Sequence, residues 1–396
     1  MSDSLPPQIR SALAEGVRLL RPLAGMDVFD PAVPASLVQA GLHRLPVPVE
    51  AGGFGGRLGE AVRVLATLGA VDGSAALGLA MHFHTLGAVV EAGAWAVPLR
   101  HEIFRAVCEE GALLNLTATE ERGGSPARGA MPATSARRQG SGWVINGEKS
   151  WATWLPALHF AVITARLVDA GADQTEKAED SVRIGALLLD LSLPGVERLP
   201  AFDGLGMKAS ASGVLRLKEV HLPEDRLLSE RRAGVRDPRG ASPLAWFGLC
   251  VAAVYLGVGE GAREELLRWA VARKPGDGGT AVADIPSVRI RLGRLDAELR
   301  AARILLLEVA RRWDGACSGD GREQKLTDIA LAKLKATEAA AYATDEALRI
   351  AGGPGFLRGG LERAFRDARA GLIHPPLEDV AYQEFARLLV EGLPAF

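Results

Sequence analysis

The apolar positions of this chain change period twice. From residue 8 to 110 they recur at helical intervals: Leu13, Val17 and Leu20 make a short stripe, and the spacing predicts helices over Gly59–Val71, Ser74–Glu91 and Pro98–Cys108. Asp30-Pro31, Val33-Pro34 and the stretch Leu45–Gly56 carry the prolines and glycines of loops. From 112 to 228 the period shortens to that of strands. Leu113–Thr119, Trp143–Ile145, Glu148–Trp154, Ala161–Val168, Val182–Asp190 and Gly213–Leu222 are β-prone or alternating runs between Gly and Pro breaks. Asn146-Gly147 predicts a two-residue hairpin turn inside this set, and the polar run Asp169–Asp180 predicts a hairpin loop. From 242 to 393 the helical period returns. Val288, Leu292, Leu295, Leu299, Ala302, Leu306, Val309 and Trp313 alternate steps of four and three, a heptad seam. The Ala-rich run Glu323–Ile350 follows, with Leu326, Ile329, Ala330 and Leu334 on one face, until Ala351–Gly355 breaks it.

The pattern predicts an α+β multidomain chain. An N-terminal α-helical domain spans 1–111, a middle β-barrel or sandwich domain spans 112–230, and a C-terminal helical domain spans 241–396. The basic, Gly-containing stretch Arg231–Gly240 reads as a solvated linker. A narrow seam on so long a helix suits a bundle.

Composition narrows the function classes. Hydrophobic residues make up 48% of the chain, enough for large cores, and a net charge of −2 gives no bias toward nucleic acid or anionic membranes. Cys108, Cys250 and Cys317 are far apart, which suits reduced thiols and a cytoplasmic protein better than a disulfide framework. The start MSDSLPPQIR has no apolar signal core. Ala241–Gly259 is free of charge for 19 residues, long enough to span a bilayer. The pattern nevertheless begins as a helix at Ser242-Pro243 and runs on into Glu260, Arg263, Glu264 and Glu265, so a buried bundle helix is expected and no membrane span. His82 and His84 lack the i, i+4 spacing of ligands on a helix, so they read as packing residues and no metal is expected.

Candidate chemistry concentrates between Leu113 and Trp154. The charged, Gly-rich turn Glu120–Ser125 supplies backbone N–H groups and a hydroxyl, which suits an anionic group. Trp151 and Thr153 are two apart on a strand and therefore share a face. An aromatic plate beside a hydroxyl suits a planar heterocycle such as a flavin, although an ordinary meander with a core Trp has the same spacing.

These stretches resemble the acyl-CoA dehydrogenase superfamily. Its motif T-E-P-x-A-G-S-D is matched by Thr119-Glu120-Glu121-Arg122-Gly123-Gly124-Ser125-Pro126, which lacks the proline and the last aspartate. Its N-G-x-K-x-W-I-T is matched by Asn146-Gly147-Glu148-Lys149-Ser150-Trp151-Ala152-Thr153. Pro48–Gly53, Gly204–Lys208, Lys218–Pro223, Gly352–Phe356, Leu361-Glu362-Arg363 and Arg366-Asp367 match further family segments in order, over nearly the whole chain. The resemblance implies a C-terminal four-helix bundle and FAD. The flavin ring would lie against Leu116, Ala118, Thr119, Trp151 and Thr153, with Thr119 at its pyrimidine end and Thr153 near N5. Ser125 would meet the pyrophosphate, and Lys208 is either solvated or on a phosphate. A neighbouring subunit of a homotetramer (or dimer) would complete the site with Arg273, Arg349, Gly352 and Gly353. Arg349 stands where the family has glutamine, and Lys274-Pro275-Gly276 departs from its R-x-x-F-G, so the adenine end would be held differently.

The resemblance breaks at the catalytic base. The family's glutamate of I-Y-E-G-T falls on Pro375, and the alternative base position falls on Phe247, with Gly248 replacing an arginine. His374 precedes the empty position. Flavin monooxygenases of the superfamily have a similar tail, with R-D and then a histidine beside the flavin where oxygen is activated. Glu378 and Asp379, one turn on, are candidate displaced bases. The sequence therefore supports an FAD-dependent oxidoreductase with altered base chemistry, acting on a small molecule, an acyl-CoA thioester being the family's usual substrate. The alternatives are a flavin monooxygenase using His374 and fed by a separate flavin reductase, and a non-catalytic flavin-binding or scaffold homologue.

Overall fold

The computed structural model describes residues 5–121, 131–170, 182–233, 235, 240–276, 279–316, 322 and 325–392. Ser125, Cys317 and the loop residues 171–180 lie outside them. Five helices open the chain: α1 (Pro7–Leu20), α2 (Ala32–Gln39), α3 (Leu58–Gly69), α4 (Gly73–Ala92) and α5 (Val97–Glu110). Asp72 caps α4 by accepting from the Ala75 N–H at 2.9 Å. α4 has no Asp, Glu, Lys or Arg before Glu91, so it can be buried on every side, and it is buried from Gly73 to Val89.

Eight strands follow: β1 (Leu114–Thr117), β2 (Ser135–Gln139), β3 (Gly142–Ala152), β4 (Phe160–Val168), β5 (Arg183–Asp190), β6 (Val196–Ala201), β7 (Gly213–Pro223) and β8 (Leu227–Arg232). They form one mixed sheet in the order β6-β7-β3-β2-β4-β5-β8. β1 and β2 occupy the same edge of β4 in succession, β1 opposite Phe160–Ile163 and β2 opposite Arg166–Val168, both parallel to it. The chain between β1 and β2 therefore leaves the sheet and returns to it.

The Asn146-Gly147 hairpin does not form. β3 runs through both residues, and the reversal lies at Gly140–Ser141, between β2 and β3. Asn146 and Gly147 instead sit in a bulge, marked by a register shift between Ile145 and Gly147 against β7. Asn146 Nδ2 donates to Glu219 Oε1 at 2.5 Å, and Asn146 Oδ1 accepts from the Glu219 N–H at 2.9 Å, which locks the bulge. Gly147 has φ +149°, and a Cβ there would lie 2.5 Å from Thr134 Oγ1, so glycine serves close approach rather than a turn. β2, β6 and β8 escape the sequence pattern because they are polar; β6 and β8 are the sheet's edges. β8 also takes Arg231 and Arg232 out of the expected linker.

The C-terminal part comprises α6 (Ser242–Ala272), α7 (Pro286–Asp314), α8 (Leu326–Ala351), α9 (Gly353–Phe356), α10 (Gly360–Ile373) and α11 (Glu378–Glu391). α4 and α6 are long and apolar enough to cross a bilayer, and both are buried in the core. α6 packs against α3, α4, α7, α8 and α10. On α7 the seam buries Leu295, Leu299, Ala302, Leu306, Val309 and Trp313. Leu292 and Val288 are half-buried.

Polar ties join the three parts around the site. Glu91 of α4 accepts from the indole N–H groups of Trp246 and Trp313 at 3.1 and 2.9 Å. Arg363 of α10 pairs with Asp72 at 3.0 Å, and Arg366 pairs with Asp27 at 3.0 Å. Asp367 accepts from the Met207 N–H at 2.5 Å. The L-E-R-x-x-R-D segment is thus a clamp between the N-terminal helices, the sheet domain and α10.

Candidate active site

Two groups of side chains, described as two walls, carry the candidate chemistry. The first is the end of β1 with the second half of β3. Leu116, Ala118 and Thr119 are half-buried, while Asn115, Thr117 and Glu120 between them are buried. The Ser150 N–H donates to the Thr119 carbonyl at 2.8 Å, and Asn115 Nδ2 donates to the Thr153 carbonyl at 3.3 Å. Beneath them Lys149 Nζ meets Glu120 Oε1 at 2.5 Å with neither side chain more than 4% exposed. Glu120 also accepts the N–H groups of Ala133 and Thr134, so it closes the excursion between β1 and β2. Burial opposes its charge, but Lys149 and these donors outweigh burial and hold its carboxyl below the ordinary value.

Trp151 and Thr153 do not share a face by simple alternation. The register shifts between Lys149 and Ala152, Trp151 takes φ +60°, and β3 ends at Ala152. The bulge turns the Trp151 indole outward, 54% exposed and packed on Phe202 at 4.6 Å between ring centroids, while Thr153 stays buried. Thr153 Oγ1 bonds Ser212 Oγ at 3.0 Å, and Ser212 Oγ bonds Ser210 Oγ at 3.0 Å. Neither serine stands out in the sequence; a pair of hydroxyls two apart, just before β7, is the only sign of them. Lys208 pairs with exposed Asp203 at 2.7 Å.

The second wall is aromatic. His374 caps α10, and its ring stacks on Phe247 at 6.2 Å and meets Tyr255 edge-on at 5.5 Å. His84 of α4 meets Phe247 edge-on at 5.3 Å between ring centroids. Phe247 thus fills the alternative base position in contact with two imidazoles. His374 Nδ1 and the Tyr255 hydroxyl are buried and bond nothing. Burial first, and the charge of Lys333 second, push the His374 imidazole down to about 4, so it is neutral at pH 7. Gly248 packs so closely that a Cβ would lie 2.9 Å from Ile329. An arginine there would need Ile329 to move. Glu378 and Asp379 are exposed in the first turn of α11, where the helix dipole favours acidic residues without any catalytic role. His82 is a structural link: its ring bonds the His43 carbonyl at 2.9 Å and accepts from the Leu114 N–H at 3.2 Å.

The remaining expected residues lie elsewhere. Arg273 caps α6 and is exposed; Arg349 pairs with Asp345 at 2.7 Å on an exposed face of α8; Gly352 and Gly353 are exposed just beyond it. A flavin fits the first wall on two observations. An open indole is backed by Phe202, and a chain of three hydroxyls begins at Thr153. Leu116 in β1 and Ala118 and Thr119 just beyond it are half-buried, and the Thr119 carbonyl is bonded to Ser150 of β3.

Comparison with known proteins bears on the family and the fold. Residues 115–220 match the family model "Acyl-CoA dehydrogenase, middle domain", and residues 249–378 match "Acyl-CoA dehydrogenase, C-terminal domain". The putative acyl-CoA dehydrogenase YdbM of Bacillus subtilis (strain 168) is 31% identical over 361 residues, 89% of each chain. Butyryl-CoA dehydrogenase from Megasphaera elsdenii superimposes with a TM-score of 0.83 at 20% identity over 98% of this chain and 100% of its own. Dibenzothiophene monooxygenase (TdsC) from Paenibacillus sp. A11-2 superimposes with a TM-score of 0.82 at 20% identity over 98% of both chains.

Proposed function

Because the chain belongs to the acyl-CoA dehydrogenase family, we propose that it is an FAD-dependent oxidoreductase in which a neutral histidine, His374, meets the substrate in place of a carboxylate base. The observation that carries this is the aromatic wall. Phe247 and Pro375 fill both positions expected for a carboxylate, and His374 brings a buried, unpartnered Nδ1 beside them.

Leu116, Ala118, Thr119, Trp151 and Thr153 would hold the flavin ring. Ser125, with Arg273, Arg349, Gly352 and Gly353 of a second copy, would hold the rest of FAD. When bound, the flavin supplies a two-electron acceptor or, once reduced, a centre that reacts with dioxygen. Trp151 orients the ring by contact, and Thr153 offers a hydroxyl whose own partner, Ser212, fixes its direction. The clamp at Arg363, Arg366 and Asp367 ties α10 to Asp72, Asp27 and the Met207 N–H.

An imidazole pushed down to about 4 is a weak acceptor for a carbon-bound proton at pH 7. It remains a good hydrogen-bonding group for a reacting oxygen atom. Together with Phe247 and Pro375 at the two positions expected for a carboxylate, this favours monooxygenase chemistry, with a separate flavin reductase, over acyl-CoA dehydrogenation. The dehydrogenase reading is favoured by the name of the 31% identical relative, and it needs Glu378 or Asp379 to turn inward. The test is to reconstitute the protein with FAD, reduce it without oxygen, and follow its reoxidation with and without candidate substrates. Oxygen-dependent product formation supports the first reading; reduction of the flavin by acyl-CoA alone supports the second. A colourless protein that binds neither FAD nor FMN sinks both.

The assembly follows from the same site. The exposed Arg273, Arg349 and Gly352-Gly353 lie near exposed apolar Leu267, Val271 and Phe356 in the chain. A homotetramer is expected, in which a second copy covers them. Light scattering that finds a stable flavin-loaded monomer contradicts it.

A further inference from the structure

Lys333 lies in the first third of α8 and is fully buried. Its Nζ donates to the His374 carbonyl at 2.6 Å and to the Pro376 carbonyl at 3.2 Å. These two carbonyls flank Pro375, which has no N–H of its own. Buried cations are ordinarily paired with an anion. Among the described residues no carboxylate makes an ion pair with Lys333. The acid that acts on it, Glu338, is bonded instead to Lys335 at 2.8 Å and to Tyr382 at 3.3 Å. Only carbonyl dipoles compensate the Lys333 charge directly.

We propose that Lys333 is a positioning residue for His374: its ammonium fastens the backbone on both sides of Pro375 and keeps the adjacent imidazole in its neutral, hydrogen-bonding form. The proposal rests on the role given to His374 above. The groups facing that imidazole leave Lys333 as its nearest charge. α6 contributes Phe247 and the Tyr255 phenol, which burial and then Asp367 push up, so it stays neutral. α4 contributes His84, whose ring meets Phe247 at 5.3 Å. α8 contributes Lys333, which burial lowers to about 8, leaving it mostly charged at pH 7. Glu378 and Asp379 on α11 are exposed. A positive charge beside an imidazole opposes its protonation. The same side chain that ties down the loop therefore adds to burial in keeping the ring neutral.

The test is histidine C2 hydrogen–deuterium exchange read by mass spectrometry across pH on the full-length, flavin-loaded protein. It is applied to the wild type, Lys333→Gln, Lys333→Met and Lys333→Arg. The wild type is expected to titrate His374 well below the ordinary imidazole value of about 6.5. Gln and Met, which remove the charge, shift the midpoint upward; Arg, which keeps it, leaves the midpoint low. Backbone amide exchange over residues 372–379 accelerates in Met but less in Gln, which retains a donor. A wild-type midpoint at or above about 6.5 overturns the proposal even where no variant folds. So does a midpoint unmoved in both Gln and Met. Turnover of His374→Ala decides separately whether His374 acts at all, so the two failures are distinguishable.

Discussion

Two lysines without exposed surface, Lys149 and Lys333, stand under the two walls of the site, and they are compensated differently. Lys149 meets a buried carboxylate, Glu120, and the pair is further bonded to two backbone N–H groups. Lys333 meets two carbonyls and no carboxylate among the described residues. The first arrangement cancels charge and locks β1, β2 and β3 into one platform. The second leaves a net positive charge beside His374, where it acts on a neighbour. The wall proposed for the flavin is held by a cancelled charge pair, and the aromatic wall carries an uncancelled charge beside one imidazole.

The largest effect should come from breaking the cancelled pair. Lys149→Met leaves Glu120 buried and unpaired and is expected to cost about 3–5 kcal/mol. Lys333→Met strands only carbonyls and should cost about 1–3 kcal/mol. Urea unfolding of both variants measures the difference. Equal losses would mean that the two lysines are not distinguished by their partners.

Removing the imidazole sharpens the contrast within the aromatic wall. His374→Ala should lower turnover by about 10²–10³-fold, the effect of removing one hydrogen-bonding group at the reacting centre, while Glu378→Gln and Asp379→Asn stay near wild type. The reverse order would move the base onto α11. On the flavin wall a smaller change is expected. Thr153→Val removes one hydrogen-bonding group, about 0.5–1.5 kcal/mol, and should weaken flavin binding roughly two- to tenfold with a shift in the visible spectrum. Fluorescence titration of the apoprotein measures it. An unchanged dissociation constant and spectrum would place the ring elsewhere.

How far the sequence could be read followed the same division. The helical period marked α3 to α8 closely, because an amphipathic or wholly buried helix writes its environment into its spacing. β3 was harder. Asn146-Gly147 has the composition of a turn, but the pairing of β3 with β7 on one side and β2 on the other turned it into a bulge. A second bulge, at Trp151, broke the alternation that seemed to put Trp151 and Thr153 on one face. Strands β2, β6 and β8 carry polar residues suited to exposed or edge positions, which leaves no apolar period to find. Pro375 and Phe247 were legible as departures from a motif. Their consequence, an orphaned imidazole over a buried lysine from α8, joins residues 41 positions apart and has no local signature.

The central claim is that this site lacks a carboxylate poised to take a substrate proton. Anaerobic rapid mixing of the FAD-loaded protein with butyryl-, octanoyl- and branched acyl-CoA tests it most directly, with bleaching of the bound flavin as the signal. The expected result is a flavin that stays oxidised on the turnover timescale with all three. Rapid bleaching by any of them, abolished in Glu378→Gln and retained in His374→Ala, would contradict the account.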